Sequence, residues 1–277
     1  PKTITVIPRP KIVSLLATIT PPKYTGLEAI KEQAGNLQVF EGSTIDYTIK
    51  TDKDLTKLDF IDYSKQETKT AFTSKDKRTW VGSLKLIANT KYTFQLVDSE
   101  GLDSRGVPIY TISVLADKAP VIKILKPMLI MQGAPITTIP MKVQITDDFL
   151  VVGIRIMAQI MERNAQGEEI AKGAPKKIYE DVKINRKLAD IKGNWDLASI
   201  GNVKVVPGNI VKVWIEAWDN HEPTSLIMKS QEVSISIISV EEYNSILMSR
   251  LDSFSKEVDG VIKEMKESER DIIDINK

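Results

Sequence analysis

The chain has 277 residues, which at roughly 150 residues per domain allows about two globular units. Hydrophobic residues make up 42% and charged residues 27%, so the composition excludes a disordered or low-complexity chain. Because 38 lysines and arginines are balanced by 37 acidic residues, the whole chain has no basic field of the kind that drives non-specific nucleic-acid binding. With no cysteine and one histidine, the chain also lacks the side chains for thiol catalysis, disulfides and cysteine zinc sites.

Sequence patterns typical of β-strands extend from Thr3 to Ile238. Short runs rich in Val, Ile, Thr and aromatic residues are separated by Gly, Pro, Asn and Asp clusters. Within the runs the period is two, so that Tyr92, Phe94 and Leu96 share one face, as expected for half-buried antiparallel sheet. The plainest predicted strands are Thr44–Thr51, Lys91–Val97, Tyr110–Leu115, Met141–Thr146, Val211–Trp218 and Glu232–Ile238.

A weak internal repeat indicates two similar modules. Each copy starts with a proline before a β-branched strand, at Pro10 and Pro120, and each has a late alternating strand that ends on an aspartate, Asp98 or Asp219. Repeats of this length with closely spaced turn signals are typical of immunoglobulin-like or fibronectin-like β-sandwiches. The sequence therefore predicts a mainly β chain with two tandem sandwiches.

The predicted domains are residues 1–116 and 117–239, followed by a helix over 240–277. Ser239 and Glu242 have the spacing of a capping box at a helix start. Further on, apolar residues step by four or three, which leaves two alternatives: the start of a coiled coil that forms a helix-mediated oligomer, or a helix folded back onto a sandwich. The stepping residues are Leu247, Leu251, Phe254, Val258, Val261 and Met265.

The ends of the chain suggest a fragment of a longer protein. It begins at Pro1, shows no charged-then-apolar leader, and contains no apolar run near the 18 or more residues needed to span a bilayer. We therefore expect no transmembrane segment within these residues.

Several short motifs resemble a known family. They match the immunoglobulin-like region of large, uncharacterised, membrane-anchored bacterial envelope proteins over roughly Pro10 to Tyr243. The resemblance implies an extracytoplasmic, periplasmic or cell-envelope location, transmembrane helices upstream and a long helical region downstream, and it supplies no established activity. The motifs are Pro21-Pro22-Lys23-Tyr24-Thr25-Gly26-Leu27, Gly35-Asn36-Leu37-Gln38-Val39, Glu41-Gly42-Ser43, Thr146-Asp147-Asp148-Phe149, Trp195-Asp196-Leu197, Pro207-Gly208-Asn209 and Glu216-Ala217-Trp218-Asp219-Asn220.

Acidic residues follow the predicted second and sixth strands of the second sandwich. In an immunoglobulin-like sandwich these strands run in the same direction, so the loops after them meet at one pole, near the start of the first strand. Carboxylate and amide oxygens at a domain junction are the ligands that Ca²⁺ prefers. The predicted calcium site comprises Asp117, Asp147, Asp148, Asp219 and Asn220, with Asx-turn formation as the alternative role for these residues.

Two other groups of residues have competing interpretations. An equivalent acidic set in the first module, which includes Asp52 and Asp98, lies at that module's far pole. Trp214 and Trp218 alternate with the core-facing residues of their strand, so they either stack on sugar rings as exposed platforms or lie under a neighbouring segment.

The sequence therefore predicts a non-enzymatic structural or protein-interaction region with a protein partner, no nucleic-acid partner and no cofactor other than Ca²⁺. The alternative is a carbohydrate-binding module of an envelope polysaccharide system. A hydrolytic role for paired carboxylates would require a lined cleft, which no motif indicates.

Overall fold

A computed structural model describes residues 7–198, 200 and 204–275 of the chain, with the backbone alone for 267–275. The described chain divides into two compact units. The first comprises Pro1–Lys118 with His221–Thr224, and the second comprises Ala119–Asn220 with Ser225–Lys277.

The first unit is a β-sandwich of two five-stranded sheets, with strand orders β2-β1-β4-β8-β7 and β3-β10-β9-β5-β6. All pairings are antiparallel except that of β3 with β10, which is parallel. This distribution of strands between two sheets is that of an immunoglobulin-like sandwich. The strands are β1 (Ile12–Thr20), β2 (Ile30–Gln33), β3 (Leu37–Phe40), β4 (Thr44–Thr51), β5 (Leu55–Asp62), β6 (Thr68–Ala71), β7 (Thr73–Ser74), β8 (Thr79–Lys85), β9 (Thr90–Asp98) and β10 (Tyr110–Leu115).

Aromatic side chains fill the centre of the first unit. Tyr92 and Phe94 are buried on the inner face of β9, where period-two alternation places them. Phe60 stacks on Tyr92 with ring centroids 4.8 Å apart, and Tyr47 meets Phe94 edge-on at 5.6 Å. Burial raises the pKa of the Tyr92 hydroxyl to about 12, and that hydroxyl donates a hydrogen bond to the Gly35 carbonyl at 2.8 Å.

The second unit is built around one long strand. Residues 138–146 of β13 pair with β11 and β16, while residues 151–161 pair with β17 on one edge, and β14 and β15 pair with the same part of the strand. The strands are β11 (Val121–Lys126), β12 (Ile130–Gly133), β13 (Thr138–Arg163), β14 (Glu169–Ala171), β15 (Lys176–Asp181), β16 (Arg186–Asp196), β17 (Ile210–Asp219), β18 (Ile227–Lys229) and β19 (Val233–Ile237).

The long strand corrects one expectation. The predicted strand Met141–Thr146 does not end before Asp147 and Asp148, because β13 continues through both residues to Arg163. Register shifts between Thr146 and Val151 absorb the change of partner strands. The two aspartates therefore lie within a strand rather than in a loop.

Aliphatic residues form the core of the second unit. Val143 and Ile145 contribute from the first part of β13, Ile154 from its second part, and Val211 and Ile215 from β17. Each of these side chains is buried, which agrees with the predicted alternation along β17.

The chain is therefore mainly β with immunoglobulin-like sheets and a C-terminal helix, as predicted. Strands β4 and β10 have the predicted bounds, and β9, β17 and β19 differ from prediction by one residue at each end. The domain limits 1–116, 117–239 and 240–277 stay a prediction.

The helix α1 extends from Val240 to Ile275. The Ser239 hydroxyl accepts a hydrogen bond from the Glu242 amide at 3.1 Å, which confirms the predicted N-terminal cap. No helix within the described residues is long and apolar enough to cross a bilayer. One face of α1 carries eight exposed large apolar side chains, here called the α1 stripe: Leu247, Met248, Leu251, Phe254, Val258, Val261, Ile262 and Met265.

The exposure of the α1 stripe bears on the predicted packing of the helix against a sandwich. A helix folded back onto a sandwich would bury this face, whereas Leu251 and Phe254 are 61% and 64% exposed. Within the described chain, α1 is therefore not packed through its apolar face.

Candidate functional site

Asp219 closes a loop at the end of β17. Its side chain is fully buried, and Oδ1 accepts a hydrogen bond from the Leu226 amide at 2.8 Å, while the Asp219 amide donates to the Leu226 carbonyl at 3.3 Å. This double link fixes the start of the connection to β18. Asp219 thus holds this loop closed through its Oδ1 atom, and the choice between metal binding and turn formation stays a prediction.

Asp147 lies close to Asp219 and is half-buried. Its Oδ2 accepts a hydrogen bond from the Phe149 amide at 2.9 Å, which turns the backbone locally inside β13. Burial raises the pKa of the Asp147 carboxyl, and the negative charges of Asp148 and Asp219 raise it further, outweighing the hydrogen bond from Phe149. The carboxylates of Asp147 and Asp219, from β13 and β17, are therefore close enough for their charges to interact.

The other predicted calcium ligands are arranged differently. Asp148 is exposed and Asn220 is half-buried. Asp117 belongs to the first unit, where its Oδ1 accepts a hydrogen bond from the Lys118 amide at 2.9 Å. Among the residues that the structure describes, no three acidic or histidine side chains are grouped as a metal ion would require. The calcium site stays a prediction.

The corresponding acidic set of the first unit is occupied by structural contacts. Asp98 Oδ1 accepts hydrogen bonds from the amides of Glu100 and Leu102 at 3.0 and 2.8 Å, and Oδ2 forms an ion pair with Lys53 at 2.9 Å. Asp52 accepts from the Lys11 amide at 2.8 Å. The carboxylates of Asp98 and Asp52 therefore hold neighbouring loops together.

A polar and aromatic network covers the outer face of the sheet formed by β13, β17 and β18. Glu216 is at its centre: Oε1 accepts a hydrogen bond from Trp214 Nε1 at 2.9 Å and Oε2 accepts one from Arg155 Nε at 2.5 Å. Burial alone would raise the pKa of Glu216, but the two hydrogen bonds and the charge of Arg155 lower it instead. We call this network the tryptophan patch; it comprises Arg155, Trp214, Glu216, Trp218 and Lys229.

Cations lie over both indole rings of the tryptophan patch. Lys229 Nζ is 4.3 Å from the centroid of the Trp214 ring, and Arg155 Cζ is 5.9 Å from that of Trp218. The Trp218 ring rests against the backbone of Gly153, where a Cβ atom would lie 2.2 Å from the ring. Glycine at this position is therefore what allows Trp218 to lie flat on β13.

The burial of Trp214 bears on the carbohydrate-binding alternative. Trp214 is only 7% exposed, and Lys229 lies over its ring. A sugar-stacking platform requires an open aromatic face, which Trp214 does not present. Trp214 is therefore a covered residue of the sheet surface, as in the second interpretation of its sequence position.

The roles of Arg155, Glu216 and Lys229 were not predicted from the sequence. Arg155 is the direct cross-strand neighbour of Glu216 in the β13–β17 pairing. The alternating charged and aromatic residues of β17 indicate an outward face, but which residue of β13 stands opposite each one depends on the strand register. The sequence offers no local signal for that register.

The second unit also contains a surface groove of about 450 Å³ between β11 and β18. Its walls are mainly aliphatic, and among the described residues no carboxylate lines it. The lining includes Val121, Ile122, Ile124, Leu129 and Met228. This groove lacks the pair of titratable groups in unlike environments that hydrolytic chemistry would need.

Comparisons with known proteins add little beyond the architecture. No protein-family model and no curated protein matches the chain. Among solved structures, it is similar to fibronectin(III)-like modules of Clostridium thermocellum CbhA, with 14% identity over 75% of this chain and 92% of that chain and a TM-score of 0.29. It is also similar to DIP-gamma IG1+IG2, with 12% identity over 83% and 98% of the two chains and a TM-score of 0.30. A third structure, Dpr11 IG1 bound to DIP-gamma IG+IG2, has 10% identity over 83% and 100% and a TM-score of 0.28. With TM-scores this low, the immunoglobulin-like assignment rests on the strand order.

Proposed function

We propose that this chain is a non-enzymatic structural and protein-interaction region of a membrane-anchored bacterial protein, located outside the cytoplasm in the periplasm or cell envelope. The observation that carries the interaction role is the tryptophan patch. Tryptophan and arginine are the residues most enriched at energetic centres of protein interfaces. Here, Arg155 and Trp218 are partly exposed and are held in fixed positions by Glu216 and Gly153.

Preorganisation makes the patch suitable for binding. A side chain that is already ordered loses less conformational entropy when a partner covers it. Arg155 is tied to Glu216 by an ion pair at 2.5 Å, and the Arg155 side chain is 40% exposed. It can therefore contact an acidic or carbonyl-rich surface without first becoming ordered.

The structural role is supported by how the loop aspartates are used. Asp98 and Asp219 each close the loop that follows a long strand, one in each unit. Loops closed by buried carboxylates hold the strand ends in fixed positions. This suits a spacer that presents a surface at a fixed place better than it suits a mobile active-site loop.

Site-specific photo-cross-linking in the bacterium that makes the full protein tests the interaction role. A photoreactive amino acid in place of Lys229 should give a discrete cross-linked product, and the additional change Glu216→Ala should abolish it by releasing Arg155 and Trp214. The matched control is the same amino acid in place of Lys192, an exposed residue of β16. Equal products at both positions, or none at Lys229, would refute a binding role for the patch.

The location is tested separately. Alkaline phosphatase inserted into the full protein after residue 239 should be active, because its disulfides form only in an oxidising compartment. A green fluorescent protein at the same position, exported unfolded, should not fluoresce. The opposite pair of results would place this region in the cytoplasm.

A further inference from the structure

The α1 stripe is a large apolar surface without a cover in the described chain. Its eight side chains are between 39% and 68% exposed. Their exposed area totals roughly 800 Å² per helix, so two such helices would bury at most about 1,600 Å², which is the size of a standard stable interface. The area is therefore sufficient for a dimer of this chain.

The spacing of the stripe fits another helix better than a sheet. Leu251, Val258 and Met265 are seven residues apart, and Leu247, Phe254 and Val261 form a second series with the same repeat. These are the a and d positions of three consecutive heptads, in which apolar side chains insert between those of a facing helix. Met248 and Ile262 occupy e positions and widen the stripe.

We propose that α1 pairs with α1 of a second copy of this chain as an antiparallel two-stranded coiled coil. In the register we infer, Phe254 of one helix faces Val258 of the other, Leu251 faces Val261, and Leu247 faces Met265. This inference concerns a different surface from the tryptophan patch and does not depend on the function proposed for that patch.

The residues flanking the stripe favour the antiparallel orientation. In this register, Arg250 of each copy faces Glu264 of the other, which gives two oppositely charged pairs, and Met248 faces Ile262, which extends the apolar contact. Glu257 faces its own counterpart in one like-charge contact at the centre, and Glu241 of each copy stands opposite Glu269 of the other in two further like-charge positions near the helix ends. In a parallel pair, Glu264 would stand beside Glu269 twice, with no opposite charges to offset it.

A parallel pair is less favourable. It would place Glu257 beside the apolar Ile262 of the other copy, and Arg250 beside the uncharged Ser255. No opposite charges would then meet along this part of the helix.

Polar positions in the repeat also agree with the antiparallel register. Asn244 and Ser268 are the two polar residues at a or d positions between Val240 and Ile275. The same register that pairs Phe254 with Val258 brings these two positions opposite each other. Neither polar position then faces an apolar position across the helix–helix interface. Such a contact would bury a polar group without a hydrogen-bond partner.

Sedimentation of the 277-residue chain tests the association. We expect a dimer at chain concentrations of tens of micromolar. Leu251→Asp should weaken the dimer at least tenfold, because it places a charge in the apolar interface between the two helices. The control Ser249→Asp, on the outer side of the helix, should leave the dimer unchanged. A wild-type chain that stays monomeric at about 100 μM, or an unaffected Leu251→Asp variant, would overturn the proposal.

A charge-exchange experiment tests the orientation without altering the apolar residues at the interface. Arg250→Glu and Glu264→Arg should each weaken the dimer about fivefold to tenfold, since each change produces two like-charge contacts. An equimolar mixture of the two variants should associate as well as the wild type. In the mixed dimer, position 250 of each copy again faces an oppositely charged residue at position 264 of the other. Failure of the mixture to recover would overturn the antiparallel register.

Distance measurement provides a second test of orientation. The chain has no cysteine, so Ser245→Cys permits a single spin label per copy. The helical rise of 1.5 Å per residue places the two labels about 33 Å apart along the axis in the antiparallel pair, against roughly 10–20 Å in a parallel pair. A short distance would overturn the proposed orientation.

Discussion

At the scale of single residues, Asp147 is held in an unfavourable electrostatic environment. The folded-state pKa of Asp147 is raised above the unfolded value of 3.8. Its favourable contribution to the free energy of unfolding is therefore complete below pH 3.8 and is lost as the pH rises through the folded-state pKa. At pH 7 the ionised carboxylate therefore costs stability.

We expect Asp147→Asn to stabilise the protein at pH 7 by about 0.5 kcal/mol, a value reduced because the side chain is partly exposed. The asparagine keeps an oxygen for the Phe149 amide and removes repulsion from Asp148 and Asp219. Urea unfolding at pH 7 and pH 3 measures the effect, which should vanish at pH 3. Asp46→Asn, at an exposed position of β4 in the first unit, serves as control. A lower midpoint for Asp147→Asn at pH 7 would contradict this explanation.

The same variant tests the calcium prediction. If Ca²⁺ binds through Asp147, the cation removes the repulsion and wild type becomes the more stable of the two proteins in excess Ca²⁺. If the aspartates serve only as turn formers, Asp147→Asn remains the more stable with and without Ca²⁺. Thermal melts of the chelator-treated protein distinguish the two outcomes.

Gly153 offers a second prediction at this scale. We expect Gly153→Ala to destabilise the second unit by about 1–3 kcal/mol, because the new Cβ would lie 2.2 Å from the Trp218 ring and force it away from β13. Urea unfolding followed by tryptophan fluorescence measures this effect. Gly193→Ala, where no atom lies within 4 Å of the added Cβ, should be nearly neutral. Equal effects of the two changes would show that the ring does not depend on the glycine.

At the scale of elements, the aspartate that ends β9 links loop closure to pH. The ion pair with Lys53, followed by hydrogen bonds from the Leu102 and Glu100 amides, lowers the pKa of Asp98 below its ordinary value of 3.8. A lowered pKa contributes stability that is fully present above 3.8 and is lost as the pH falls through the folded-state value.

We therefore expect the loop after β9 to open in acid before the sandwich unfolds. Hydrogen exchange of the Leu102 amide should accelerate relative to the core strands as the pH falls below 3.8, once the intrinsic pH dependence of exchange is subtracted. Asp98→Asn should weaken protection of this amide at neutral pH and remove the acid transition. Asp46→Asn, at an exposed position of β4, should change neither. An acid transition that persists in Asp98→Asn would assign the effect to another group.

Strand β13 shows where prediction from the sequence reached its limit. Aspartate is unfavourable in strands, so Asp147 and Asp148 predicted a strand end. In the structure, residues before and after them pair with different strands, and these pairings hold the backbone extended on both sides. Whether a polar pair ends a strand or only bends it depends on those distant partners.

At the scale of the whole molecule, each unit has its own apolar core. The aromatic cluster around Phe94 belongs to the first unit, and the aliphatic cluster around Ile154 belongs to the second. Within the part of the chain that the structure describes, no buried residue is shared by the two clusters.

We expect Phe94→Ala to cost the first unit about 3–5 kcal/mol by leaving a cavity among buried rings. Amide exchange of β4 and β9 should accelerate strongly, while that of β17 should stay as in the wild type. Ile154→Ala is the reciprocal control and should affect β17 but not β9. Parallel acceleration in both units after either change would show that the two cores unfold together.

The sequence by itself determined the features that depend on neighbouring residues. Period-two alternation identified the strands and their buried faces, as at Tyr92 and Phe94, and the spacing of Ser239 and Glu242 located the helix start. The shift to steps of three and four residues also revealed the α1 stripe.

Only the tertiary structure decided which distant residues meet. The register of β13 against β17 brings Arg155 to Glu216 and leaves Trp214 covered, and the same pairing carries the chain through Asp147 without a loop. The physical reason is that alternation along a strand specifies a face, whereas burial, ion pairing and pKa shifts depend on the partner opposite each residue.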